Sequence, residues 1–111
     1  MGTLVHGYGA EGYSIEDRKL SHIELLVALK LSRGESFYLS WQRPPREGSG
    51  RVSVWVSTAT PLQFRFTTGH HSEINREWLE HMMRCSFGPR GLVVVDEDDP
   101  IIGTPVAPSL I

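Results

Sequence analysis

Five histidines are the first side chains in this chain that could do chemistry. His70 and His71 stand side by side, and Glu73, Glu77 and His81 follow. Residues 77 and 81 are one helical turn apart, so His81 and a histidine from the preceding loop could converge on zinc. The spacing fits neither a His-Glu-x-x-His helix nor a Cys/His knuckle. The plainer reading is a polar loop followed by a solvated i,i+4 pair. His70, His71 and His81 are thus the weak metal candidates, and no cofactor is expected.

Other signals fall short in similar ways. Cys85 follows Arg84, which could favour a thiolate. Its place at the end of an apolar stripe reads instead as a small buried hydrophobe. No histidine is spaced to suggest a Cys–His pair, and no G-x-S-x-G serine nucleophile is present. Gly7, Gly9 and Gly12 give the spacing G-x-G-x-x-G, but strand-like YSIED follows where a phosphate loop would open a helix. A hairpin turn is the better reading. Asp96, Glu97, Asp98 and Asp99 could hold a hard cation. On an extended chain, however, successive side chains point to opposite sides, so the run reads as a solvated strand terminator. No catalytic residues are assigned, and the chain is not expected to be an enzyme.

The residues that do stand out are aromatic and basic. In RVSVWVS, residues 51–57, Val52, Val54 and Val56 alternate with small or polar residues. That is the pattern of a strand with one buried face. Trp55 falls in the register of Arg51 and Ser53, on the side that should meet water. The same reasoning puts Tyr38 and Ser40 outside on one neighbouring strand, and Gln63 and Arg65 outside on another. Arg43 and Arg46 lie in the adjoining loop. Exposed Trp, Tyr and Arg dominate interface hot spots, because each joins a large contact area to a polar handle. The competing reading is a cross-strand packing pair. Trp55, Tyr38, Arg51, Arg65, Arg43 and Arg46 are therefore the binding candidates. A second protein, most simply another copy, could pack on this face. Single-stranded nucleic acid could instead stack on Trp55 and Tyr38, with Arg51 and Arg65 on phosphates.

The elements that must position these residues follow from periodicity. TLVHGY and YSIED predict two short strands. Ser21-His22-Ile23-Glu24 matches a capping box, with Leu20 and Leu25 as its staple, and predicts a helix ending at Arg33-Gly34. Asp17 is a competing cap one turn earlier. SFYLSWQ, RVSVWVS and PLQFRF alternate strictly and predict three half-buried strands, whose short connections favour a meander. A second helix is expected from about Ser72 through EINREWLEHMMRCSF, with Ile74, Trp78 and Met82 as its apolar stripe. LVVV, residues 92–95, predicts a strand buried on both faces. The order ββαβββαβ gives an α+β fold: two layers, a mainly antiparallel sheet and both helices on one face. One domain over 1–96 is expected, followed by an acidic and then proline-rich apolar tail over 97–111, which reads as extended and as docked on its own domain or a neighbour.

Bulk properties agree. The chain has 111 residues, 40% of them hydrophobic and 22% charged, and one cysteine, which excludes an intrachain disulfide. Residues 1–95 carry 11 basic and 9 acidic side chains, so the formal charge of −2 comes from the acidic run at 96–99. Neither balance demands a nucleic-acid or membrane partner. No secretory signal and no membrane span is expected, and a cytoplasmic location is.

MGTLVHG, LKLSRGESFYLSW, VSVWV, and INREWLE followed by PRGL together resemble a family of small actinobacterial proteins, a domain of unknown function, over roughly residues 1–96. Some of its members carry the label ATP-dependent DNA ligase. The residues here oppose that activity. Adenylation needs a lysine in a Lys-x-Asp-Gly setting, whereas Lys19 precedes Leu-Ser-His and Lys30 precedes Leu-Ser-Arg. The length also falls short of a nucleotidyltransferase domain with its closing partner. The resemblance implies a cytoplasmic bacterial or phage-borne protein and no reaction. A non-enzymatic interaction module that self-associates is the leading expectation. Nucleic-acid binding is the alternative, and a His-based metal protein or ligase-associated protein is a remote one.

Overall fold

The computed structural model describes residues 1–9, 11–48 and 50–103. Its elements run β1 Gly2–His6, β2 Gly12–Ile15, α1 Asp17–Ser32, β3 Phe37–Gln42, β4 Arg51–Val56, β5 Leu62–Arg65, α2 Arg76–Cys85 and β6 Leu92–Val93. This is an α+β fold in the expected ββαβββαβ order. The six strands form two mostly antiparallel sheets of three, β2-β1-β5 and β4-β3-β6. The chain divides into two compact units, one from residues 1–36 and 57–74, the other from 37–56 and the described residues from 75 onward.

In the first unit β1 is the central strand, with β2 and β5 antiparallel on either side. Leu4 sits opposite both Tyr13 and Phe64 and is fully buried. The glycine-rich stretch at 7–12 joins β1 to β2 as a hairpin. The expected meander is corrected here: β5 pairs with β1, not with β4. The short link at 57–60 is closed by backbone and hydroxyl bonds between Ser57 and Thr60, yet the strand after it pairs with β1. Pro61 follows without an amide donor of its own, and its carbonyl accepts from Gly7.

Helix α1 buries Leu20, Ile23, Leu26, Val27 and Lys30 at helical spacing, while Leu25 and Leu29 stay partly exposed. It starts one turn earlier than the Ser21 capping box predicts, with Glu16 as N-cap and no side-chain cap bond. The Asp17 carboxylate in its first turn accepts from the Thr67 amide at 3.0 Å and the Thr67 hydroxyl at 2.5 Å. Arg18 donates to the Glu73 carbonyl at 2.8 Å. These bonds from a distant segment favour the earlier start over the local box. Lys30 is only 2% exposed and pairs with Glu35 at 3.2 Å, which anchors the turn at Gly34.

The Thr67 hydroxyl, above all, holds the Asp17 carboxyl below the ordinary carboxylate range; partial burial opposes this, and the Thr67 and Thr68 amides reinforce it. A carboxyl depressed in the folded state stabilises at all pH values above its unfolded pKa, and the contribution is lost as pH falls through the folded one. Wild-type melting temperature should therefore drop faster than that of Asp17→Asn below about pH 4. Parallel curves for the two proteins would remove this role.

In the second unit β3 is central, antiparallel to β4 and parallel to β6. Phe37, Leu39, Trp41, Val54 and Val56 are buried. The β6 strand is shorter than LVVV suggests. Among the described residues it pairs only with β3, at the edge of the sheet, and burial alternates over 92–95 instead of covering both faces. Helix α2 packs on β6 and begins at Arg76, not near Ser72. Asn75 is its N-cap, with its side chain accepting from the Trp78 amide at 3.1 Å. The Trp78 indole donates to the Val95 carbonyl at 2.9 Å, and the Asn75 amide donates to Glu97 at 2.9 Å. Gly103 lies against Glu77. The described start of the tail thus turns along α2 in tight steps at 96–99 and 99–102, not as an extended segment. The remainder of the expected tail, 104–111, lies outside the described residues. Among the described residues no helix is long and apolar enough to cross a membrane.

Candidate interaction surface

Strand alternation decides which side chains of the second sheet face solvent. With the valines of β4 and the Phe37, Leu39 and Trp41 set of β3 turned inward, Trp55 and Tyr38 turn outward and are 49% and 50% exposed. The register puts them directly opposite each other across β3 and β4. Their ring centroids are 5.0 Å apart with planes at 68°, an edge-to-face pair. The cross-strand packing contact and the exposed aromatic patch are therefore both real, and they involve the same two rings.

Beside the pair lies an open depression of about 270 Å³ lined by Tyr38, Ser40, Arg51, Ser53 and Arg90. Ser40 and Ser53 face each other across the strands and form its floor. Arg51 enters from the start of β4, opposite Gln42. Arg90 enters from the turn before β6. That turn is tightly built: Gly91 has φ +71°, and a Cβ there would lie 2.5 Å from the Tyr38 carbonyl oxygen. Two arginines thus line the same depression, one on β4 and one before β6, at opposite edges of the sheet.

Sequence reasoning missed Arg90. Nothing local marks it, since its position depends on the parallel pairing of β6 with β3. Arg65 is corrected in the other direction. It sits on β5, an edge strand of the first unit's sheet, where it bonds Gln63 at 3.0 Å, and so it does not share a sheet with Trp55. Arg43 and Arg46 are exposed in the β3–β4 loop, Arg46 within a short 3-10 turn, and neither lines the depression.

The histidines are not brought together as a cluster. His70 and His71 are exposed in the first unit, along a cavity that also touches Asp17 and Glu24. His81 belongs to the second unit and is only 3% exposed, which corrects the expected solvated Glu77–His81 pair. The inward positions of α2 are Trp78, His81 and Met82. The expectation of no Cys–His pair is also corrected: His81 Nε2 lies 3.5 Å from Cys85 Sγ, one turn along. His81 Nδ1 is buried and has no hydrogen-bond partner among the described residues. Among the described residues no group of three or more His, Cys, Asp or Glu side chains could hold a metal ion.

No curated protein and no solved structure matches the chain. A family model does match, across residues 1–97, nearly the whole described structure and all the residues of the aromatic face. The chain belongs to that family, which is described as a domain of unknown function, DUF7882.

Proposed function

We propose that this protein is a non-enzymatic interaction module that works through the exposed face of the β4-β3-β6 sheet. The observation that carries the reading is the Tyr38–Trp55 pair: two large rings, each half exposed, fixed edge to face on an otherwise polar surface. A preorganised aromatic pair offers contact area with little side-chain entropy left to lose on binding. The simplest partner is a second copy of the chain.

Trp55→Ala should cost about 1 kcal/mol of fold stability, the order of an aromatic cross-strand pair, and should reduce self-association. Light scattering over a concentration series reads the second effect. A variant that scatters like wild type leaves Trp55 as a cross-strand filler and ends this reading. A second reading, single-stranded nucleic acid, is favoured by one specific observation, the convergence of Arg51 and Arg90 beside the rings. Ionic strength separates the two, because phosphate contacts make affinity fall steeply with salt.

A further inference from the structure

The depression beside the aromatic pair has a chemistry of its own. It is lined by two arginines, two serines and Tyr38, and no acidic residue is among the described residues that line it. Arginine presents its N–H donors in a planar fork that matches tetrahedral oxyanions, and two forks from opposite sides can engage different oxygens of one group. The serine floor adds neutral donors that need not be desolvated as charges. Placement is also prepared in advance. Gly91 packs so closely on the Tyr38 backbone that Arg90, its neighbour, is tied to the edge of β3.

We infer that Arg51, Arg90, Ser40 and Ser53 form a phosphate-binding subsite. The ligand class is a phosphate group, whether free, on a mononucleotide or in a single-stranded backbone, and the neighbouring Trp55 ring supplies a stacking surface for an attached base. The inference goes beyond self-association, and its test does not pass through Trp55. Anions are held here by two forks at once, so loss of either arginine weakens binding without emptying the site.

Calorimetric titration of the full chain with inorganic phosphate, thymidine monophosphate and a short oligothymidylate tests it. Each should bind, and Arg51→Ala or Arg90→Ala should weaken binding about 10- to 100-fold, the scale of one charge-assisted hydrogen-bonded contact. Arg90→Lys should recover only part of the loss, because charge returns without the fork. Both arginines are exposed, so the variants should keep wild-type melting curves, and circular dichroism checks this. Phosphate binding as tightly as the monophosphate identifies a free-anion site. Tightest binding by the oligothymidylate, with steep salt dependence, identifies a backbone site. The inference is overturned if none of the three binds, if binding ignores both arginines, or if a polyglutamate peptide competes as well as phosphate.

Discussion

Gly91→Ala should be among the most damaging single-methyl changes in this protein. At φ +71° an added Cβ meets the left-handed penalty of an L-residue, about 1–2 kcal/mol. It would also lie 2.5 Å from the Tyr38 carbonyl oxygen and 3.0 Å from the Tyr38 nitrogen. Backbone cannot swing aside as a side-chain tip can, so β6 must move off β3. A total cost of about 2–4 kcal/mol is expected, which lowers the melting temperature by roughly 10 °C or more. Gly34→Ala is the control. Its φ is +72°, but nothing lies within 4 Å of the added atom, so it should cost only the backbone penalty of about 1 kcal/mol. Equal effects of the two substitutions would mean that the β6–β3 contact is looser than described. Because Arg90 is seated by the same turn, Gly91→Ala should also impair phosphate binding more than its stability cost accounts for.

Trp78→Ala should be the largest core defect. The indole is 1% exposed and donates to the Val95 carbonyl. Removing the ring leaves a large cavity and an acceptor without that donor, and losses of this kind run to about 3–5 kcal/mol. Trp78→Phe keeps most of the apolar area and removes the donor, so about 1–2 kcal/mol is expected. Urea midpoints at unchanged slope measure both. A phenylalanine variant as unstable as the alanine one would shift the weight from packing to the bond that holds residue 95 on α2.

These residues also show what could be read in advance. The outward turn of Trp55 was legible because strand alternation is local: three valines on one side fix the other side without reference to any distant element. The same holds for the Gly34 helix end. Where readings failed, a partner far along the chain decided the outcome. The Ser21–Glu24 box is a sound local signal, yet α1 begins at Asp17 because Thr67 supplies two donors from fifty residues away. The β4–β5 meander was favoured by a short link, and the pairing of β5 with β1 overrode it. His81 is the exception: it stands three residues after Trp78 and one before Met82, so it shares their buried side wherever the helix begins. A stripe drawn at i,i+4 from Ile74 passes over it, and Ile74 lies outside α2 and is exposed. Arg90 could not be assigned at all without knowing that β6 runs parallel to β3, and Arg65 left the candidate face for the same kind of reason.

The two units are interleaved along the chain, and this bears on how the molecule is made. The first cannot finish its sheet until β5, at residues 62–65, has been synthesised, although β1 and β2 are complete by residue 15. The second likewise cannot finish its sheet until residues 92–93 are made, although β3 and β4 are complete by residue 56. On the ribosome, each therefore carries an open strand edge through much of translation. That is the condition under which pairing between neighbouring nascent chains competes with correct closure, so yield of native protein should respond to the speed of elongation and to expression density.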